Sequence, residues 1–159
     1  MRHNNPTLSR GFTIAELMMV LAITAILAAL ILPGYKDSVT KSRRADAEAA
    51  LLGLTNAMQR HYTTNNSSYL GAAGTKAAPA DTGSPWIFPS EVPIDSKGTK
   101  YYDLSIESAT ATTYLLQATP KGSQAGDGLL QIDHTGTKGW DRNNNGAIGA
   151  NEHCWEKGC

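Results

Sequence analysis

The sequence has no excess of either charge: 14 lysines and arginines stand against 14 aspartates and glutamates, a formal net charge of zero over 159 residues. That argues against a globally basic nucleic-acid binder and leaves only local patches open. Cysteine is nearly absent, with Cys154 and Cys159 alone at the extreme C-terminus. No second cysteine pair and no histidine at zinc-finger spacing completes a four-ligand zinc set; His153 stands nearby without company. There is no G-x-S-x-G, no H-E-x-x-H and no Walker loop. His3, His61, His134 and His153 form no ligand set along the chain, so no enzyme is expected.

What is present is distributed unevenly. Residues 1–11 are polar and carry Arg2 and Arg10, and a nearly unbroken apolar run follows from Phe12 to Leu32. Ile14–Leu32 would span about 28 Å as a helix, close to a bilayer core of about 30 Å. The arginines before it predict a cytoplasmic N-terminus with the rest of the chain outside. A secretory signal peptide would be shorter and would end in an A-x-A site, whereas Ala28-Ala29 lie inside the run. A plain single-pass anchor is the simplest alternative. Glu16 disfavours it, because an acid in a membrane helix costs up to about 3 kcal/mol and is kept for a partner or a function.

Gly11-Phe12-Thr13-Ile14-Ala15-Glu16-Leu17, behind a short basic leader, resembles the type IV prepilin signature. Leu17-Met18 and Pro33 also fall where that family has them. The resemblance implies cleavage between Gly11 and Phe12 by a prepilin peptidase on the cytoplasmic side, then N-methylation of Phe12. It implies an inner-membrane subunit that an assembly platform builds, with other pilin subunits, into an extracellular pilus of a Gram-negative bacterium. Glu16 would then pair with the Phe12 amine of a neighbouring subunit, neutralising two buried charges and setting register. The segment Ser42-Arg43-Arg44-Ala45-Asp46-Ala47 resembles minor pilins of PilE type, as does the spacing of Pro120, Gln124, Asp127, Leu130, Asp133, Gly136 and Lys138-Gly139. Relatives often carry a cysteine near Asp127, and this chain has none.

The remaining chain reads as four segments. Pro33-Gly34 predicts a kink or local melt between an apolar helix at 12–34 and an amphipathic helix at 35–63. Ala47, Leu51, Leu54, Met58 and Tyr62 fall on one helical face, behind a charged belt of Lys41, Arg43, Arg44, Asp46 and Glu48. Residues 64–100, rich in Gly, Pro, Ser and Thr, read as a long connecting loop pinned by Trp86, Ile87 and Phe88. Three or four antiparallel strands are expected within 101–140, from the alternation at Tyr102, Leu104 and Ile106, the run Tyr114–Thr119, and Leu129, Leu130 and Ile132. The fold class is α+β, one long helix packed on a small antiparallel sheet, which coincides with the pilin fold that the resemblance implies.

The segment 141–159 carries its own pattern. Asp141, Asn143 and Asn145 stand at places 1, 3 and 5 of a twelve-residue calcium loop, Gly146 at 6, Ala147 at 7 and Glu152 at 12. Calcium takes six to eight oxygens; these side chains and the Ala147 carbonyl supply them, with Ile148 as an anchor. An Asn/Gly-rich turn without an ion is the alternative. Two carboxylates predict weak affinity, roughly 10⁻⁴–10⁻³ M. Beyond the loop, Cys154 and Cys159 could bind metal, cycle as a redox pair or form a small disulfide. In an exported protein the disulfide is preferred, contributing on the order of 2 kcal/mol.

Three functions follow: a structural subunit of a type IV pilus serving adhesion, twitching motility or DNA uptake; a type II secretion pseudopilin; and a DNA-receptor pilin of ComP type. The scattered lysines Lys76, Lys97, Lys100, Lys121, Lys138 and Lys157 do not favour the last.

Overall fold

The structure is a computed structural model that describes residues 11–156, with backbone alone over 30–33. The chain divides into two compact units, Met1–Val39 and Thr40–Cys159.

A single helix, α1, runs from Ile14 to Thr64 and contributes to both units. It is continuous across Pro33-Gly34, so no loop intervenes there, and the expected segments 12–34 and 35–63 are one element. Proline removes one backbone donor, a local cost that long helical stretches on either side can absorb. The boundary between units falls at Val39/Thr40, about two turns beyond the proline. In the first unit every described side chain from Phe12 to Ala29 is exposed, and α1 is long and apolar enough there to cross a membrane.

In the second unit α1 presents the expected stripe to the core: Ala47, Leu51, Leu54 and Met58 are buried and Tyr62 packs at the margin. Ala50 and Ala57 widen the buried face. The helix stops where Asn66 adopts φ 50° and the Ser67 N–H reaches back to the Tyr62 carbonyl at 3.1 Å. Asparagine tolerates that left-handed position better than most residues.

The connecting segment is ordered. It forms a small hairpin of β1 (Ala73–Gly74) and β2 (Pro79–Ala80), then β3 (Glu91–Val92), followed by a cis Val92–Pro93 peptide. Beyond it lie β4 (Tyr102–Ala109), β5 (Tyr114–Pro120), β6 (Leu130–Asp133) and β7 (Lys138–Trp140). The main sheet is antiparallel in the order β3-β4-β5-β6-β7, so its chain neighbours are its spatial neighbours. Tyr102, Leu104, Ile106, Tyr114, Leu116, Ala118, Leu130 and Ile132 are buried, and their alternation is the period of two that the sequence displays. Leu129 precedes β6 and is only half-buried. Asp127 lies in the turn after a short 3-10 segment at Gly122–Gln124, not on a strand.

Backbone hydrogen bonds from outside the strands flank this sheet beside β4 and at β7. Ser90 accepts the Leu104 N–H, and Gly83 exchanges two backbone hydrogen bonds with Ile106, so the connecting segment lies along β4. On the far side the Trp140 N–H donates to the Glu152 carbonyl, which flanks β7 with the C-terminal segment. Backbone groups paired in this way are removed from the template for unwanted strand pairing. Of the three residues expected to pin the loop, Ile87 and Phe88 pack against the core, whereas Trp86 stays partly exposed and donates its indole N–H to the Gly71 carbonyl at 2.7 Å. Gly53 makes room for Phe88: a Cβ there would sit 2.7 Å from the ring.

Candidate functional sites

Three groups of side chains stand out, two of them anticipated. The first opens α1. Thr13 caps the helix: its Oγ1 accepts the Glu16 N–H at 3.2 Å, and Glu16 Oε2 accepts the Thr13 N–H and the Thr13 hydroxyl, each at 2.9 Å. This reciprocal capping box satisfies helix-start donors that would otherwise be unpaired. It fixes the Glu16 carboxylate beside the backbone of residues 12–13 and leaves Oε1 without a partner among the described residues. Gly11 and Phe12 are described and exposed, whereas the residues before them lie outside the described region.

The second group is the loop Asp141–Glu152. Asp141 is buried; its two oxygens accept the Asn145 N–H at 3.0 Å and the Gly146 N–H at 2.8 Å. Asn143 Oδ1 accepts the Asn145 N–H at 3.0 Å, and Asn145 Oδ1 accepts the Ala147 N–H at 2.9 Å. Glu152, also buried, closes the ring: Oε1 takes the Arg142 and Asn143 N–H groups and Oε2 takes that of Gly149 at 2.8 Å. The Gly149 N–H is the main reason its carboxyl lies below the ordinary glutamate value. Asp141, Asn143, Asn145 and Glu152 thus all point their oxygens into one loop. Gly146 takes φ 88°, the sharp turn that place 6 requires. Each carboxylate oxygen has lone pairs beyond the hydrogen bonds it accepts, so the donor set fits a hard cation.

Ile148 does anchor the loop, though on Gly139: a Cβ at that glycine would lie 2.9 Å from the isoleucine. Trp140 and Trp155 are both buried, the latter donating its indole N–H to the Gly139 and Gln131 carbonyls. Cys159 lies outside the described residues; no free cysteine occurs within them.

The third group escapes the sequence reading, which placed Arg44 only in a charged belt. Arg44 is buried and forms a bidentate pair with Asp127, whose Oδ2 also accepts the Tyr102 hydroxyl at 2.7 Å and the Gln124 amide at 3.1 Å. The guanidinium lies 3.5 Å from the Trp140 ring centroid, and the Trp140 indole N–H donates to the Asp127 carbonyl at 2.6 Å. Gln124 extends the network to the Thr40 carbonyl at 3.0 Å. Burial is the chief cause of a Tyr102 hydroxyl pKa far above the usual tyrosine range, with the Asp127 carboxylate adding to it. The cluster holds α1, the sheet and the start of the C-terminal loop together. Its one foreshadowing in the sequence was the spacing through Gln124 and Asp127.

An exposed apolar helix with a capped acid at its start, continuing into a helix packed on an antiparallel meander, defines a membrane-type anchor joined to a small α+β head. Residues 33–128 match the family described as "Type IV minor pilin ComP, DNA uptake sequence receptor", and residues 7–32 match the "Prokaryotic N-terminal methylation motif". The chain belongs to the type IV pilins, as a minor-pilin-like subunit. It is 35% identical over 92 residues to a type IV major pilin, PilE1, of Neisseria gonorrhoeae, covering 54% of this chain and 53% of that protein. It is 30% identical over 120 residues to the fimbrial protein EcpC of Eikenella corrodens, covering 76% and 68%. The chain thus spans about half the length of the gonococcal pilins it matches. A solved structure of the Neisseria meningitidis non-core minor pilin PilV aligns with a TM-score of 0.48 at 16% identity, over 70% of this chain and 96% of that one.

Proposed function

We propose that the chain is a non-enzymatic structural subunit that enters a type IV pilus through α1, after cleavage between Gly11 and Phe12 and N-methylation of Phe12. One observation carries this reading: a methylation motif at 7–32 coincides with the apolar first part of α1, in which Glu16 is the one acid of the run 12–32 and is held at the first turn by Thr13. Cleavage creates an ammonium at Phe12. Glu16 Oε1, without a partner among the described residues, is the acceptor for the same ammonium of a neighbour. Pairing neutralises both charges in an apolar filament interior and fixes axial register.

Before assembly the subunit spans the inner membrane of a Gram-negative bacterium with a cytoplasmic leader; the prepilin peptidase and the assembly platform are its partners there. Glu16→Gln keeps the size and the capping geometry while removing the charge. It is expected to leave the subunit in the membrane while its recovery in sheared filaments falls at least about tenfold. Equal recovery of Glu16→Gln and wild type in filaments contradicts the charge-pairing step.

Two structural additions belong to this reading. The loop takes Ca²⁺ through Asp141, Asn143, Asn145, the Ala147 carbonyl and Glu152, and Cys154 is bridged to Cys159. Ca²⁺ supplies charge that holds the convergent oxygens together; the chain's own N–H groups already orient them. Both features stiffen the C-terminal segment that covers β7.

Capture of DNA by the head is a second reading, favoured by the description of the matching family. The charge distribution is against it. Lys121 is paired with Glu91 and Asp103, Arg44 is buried against Asp127, and the Lys100 ammonium serves two backbone carbonyls. Filament-dependent DNA retention that weakens steeply with salt would put the receptor reading first. The same family match favours the pilus over a secretion pseudopilus.

A further inference from the structure

The loop Asp141–Glu152 holds the chain's one asparagine that is followed by glycine, Asn145-Gly146. The backbone nitrogen of the residue after an asparagine can attack its Cγ and close a succinimide ring. A side chain on that next residue obstructs the approach, and glycine has none. Space is open here: a Cβ at Gly146 would meet nothing within 4 Å, and both residues are exposed to water. Asn143 and Asn144 are each followed by another asparagine, whose side chain stands in the way.

Two neighbours supply what the attack requires. The Gly146 N–H donates to Asp141 Oδ2 at 2.8 Å, so a carboxylate already stands at the proton that must leave the nucleophile. Asn145 Oδ1 accepts the Ala147 N–H at 2.9 Å, so a donor already stands at the oxygen where charge develops as Cγ becomes tetrahedral. Asp141 is buried, and its other oxygen accepts the Asn145 N–H at 3.0 Å, which holds the carboxylate in place.

We propose that Asn145 is a self-modification site, which the loop converts through a succinimide to aspartate or isoaspartate without an enzyme. The Gly146 nitrogen bonds to Asn145 Cγ while its proton passes to Asp141. That proton moves on to the departing Nδ2, the Cγ–Nδ2 bond breaks, and ammonia leaves. Water then opens the ring. Opening at Cγ leaves an aspartyl residue; opening at the main-chain carbonyl leaves an isoaspartyl link with an added methylene in the backbone. The net change is one water in and one ammonia out, with no oxidant or reductant.

The aspartyl product sets a further carboxylate among the oxygens that Asp141 and Glu152 turn into the loop, and the isoaspartyl product breaks the loop's spacing. Calcium affinity follows the charge of the ligands, so the two products act on the loop in opposite directions. That consequence rests on the calcium reading above; the modification itself does not.

The test holds the full chain in detergent at neutral pH with EDTA. Samples taken over days are reduced and digested with trypsin, and chromatography with mass spectrometry separates peptide 143–157 into amide, aspartyl and isoaspartyl forms. Asn145 should convert at least about tenfold faster in the folded chain than in the same chain unfolded in guanidinium chloride, and Asp141→Asn should slow the folded chain at least about tenfold. Equal or faster conversion in the unfolded chain overturns the proposal, because the dipeptide alone then accounts for it. An Asp141→Asn chain that keeps its Trp155 fluorescence and converts at the wild-type rate overturns the role of Asp141. Where that variant alters the fluorescence, the folded-against-unfolded comparison decides. In a parallel sample, about 10 mM Ca²⁺ in place of EDTA should slow conversion about tenfold, since the ion occupies Asp141 and Asn145 Oδ1. Equal rates with and without Ca²⁺ overturn the calcium consequence and leave the modification standing.

Discussion

Asp127 is the hub of the head's buried polar cluster. Its carboxylate meets the Arg44 guanidinium, the Tyr102 hydroxyl and the Gln124 amide. Removing one member of a buried pair leaves the other unpaired and costs about 3–5 kcal/mol. Asp127→Ala is therefore expected to lower the stability of the full chain in detergent by that amount, read by urea denaturation of tryptophan fluorescence. Arg44→Met combined with Asp127→Leu should restore much of the loss, because two apolar side chains leave no orphaned charge. The spacing through Gln124 and Asp127 hints at a role for Asp127, but its pairing with Arg44 cannot be read from the sequence, because the partners lie 83 positions apart and Arg44 sits in a run of charges.

Glu152 supports a pH prediction at the same scale. Its carboxyl lies below the ordinary value of 4.5 because the Gly149 N–H and its other donors favour the charged form. A carboxyl depressed on folding adds stability that is fully present above its unfolded pKa and is lost as pH falls through the folded value. Exchange of the Gly149 amide should therefore accelerate as pH drops below about 4.5, after correction for intrinsic rates. Glu152→Gln should remove that pH dependence together with any stabilisation by added Ca²⁺. Unchanged amide protection across the acidic range would contradict the role given to Glu152.

At the scale of elements, the regular parts were legible and the irregular parts were not. The stripe Ala47–Leu51–Leu54–Met58–Tyr62 and the alternation in β4 follow from helix and strand periods, so the sequence displays them directly. The order within 64–100 could not be read, because short bridges such as Gly83–Ile106 depend on backbone groups that every residue has. α1 runs through Pro33-Gly34 as one helical element, because proline weakens a helix but does not by itself end one.

Gly128 joins the turn after β5 to the calcium-type loop. It takes φ 79°, and a Cβ there would lie 1.7 Å from the Asp141 carbonyl oxygen. Gly128→Ala should destabilise the head by on the order of 3 kcal/mol and detach the C-terminal segment, seen as altered Trp155 fluorescence. At the other end of the chain, Thr13→Ala removes the cap of α1, with an expected cost of about 1 kcal/mol to its first turn. Amide exchange at residues 14–16 in detergent reads that loss directly.

At the scale of the whole molecule, a stable head is joined to an exposed apolar helix. The head has an antiparallel sheet, a buried polar clamp and a C-terminal segment folded over β7, all of which suit a stable building block. The N-terminal unit exposes every described apolar side chain from Phe12 to Ala29, a surface that water disfavours and that lipid, or other pilin helices, would cover. In the proposed function, passage from membrane to filament turns on freeing the Phe12 amine. Mass spectrometry of the N-terminal peptide, on protein purified from its native membrane, tests this most directly. The account predicts a peptide that begins at Phe12 and carries one added methyl group on its amine. A peptide that still carries residues 1–11, in a host with an active prepilin peptidase, would contradict it.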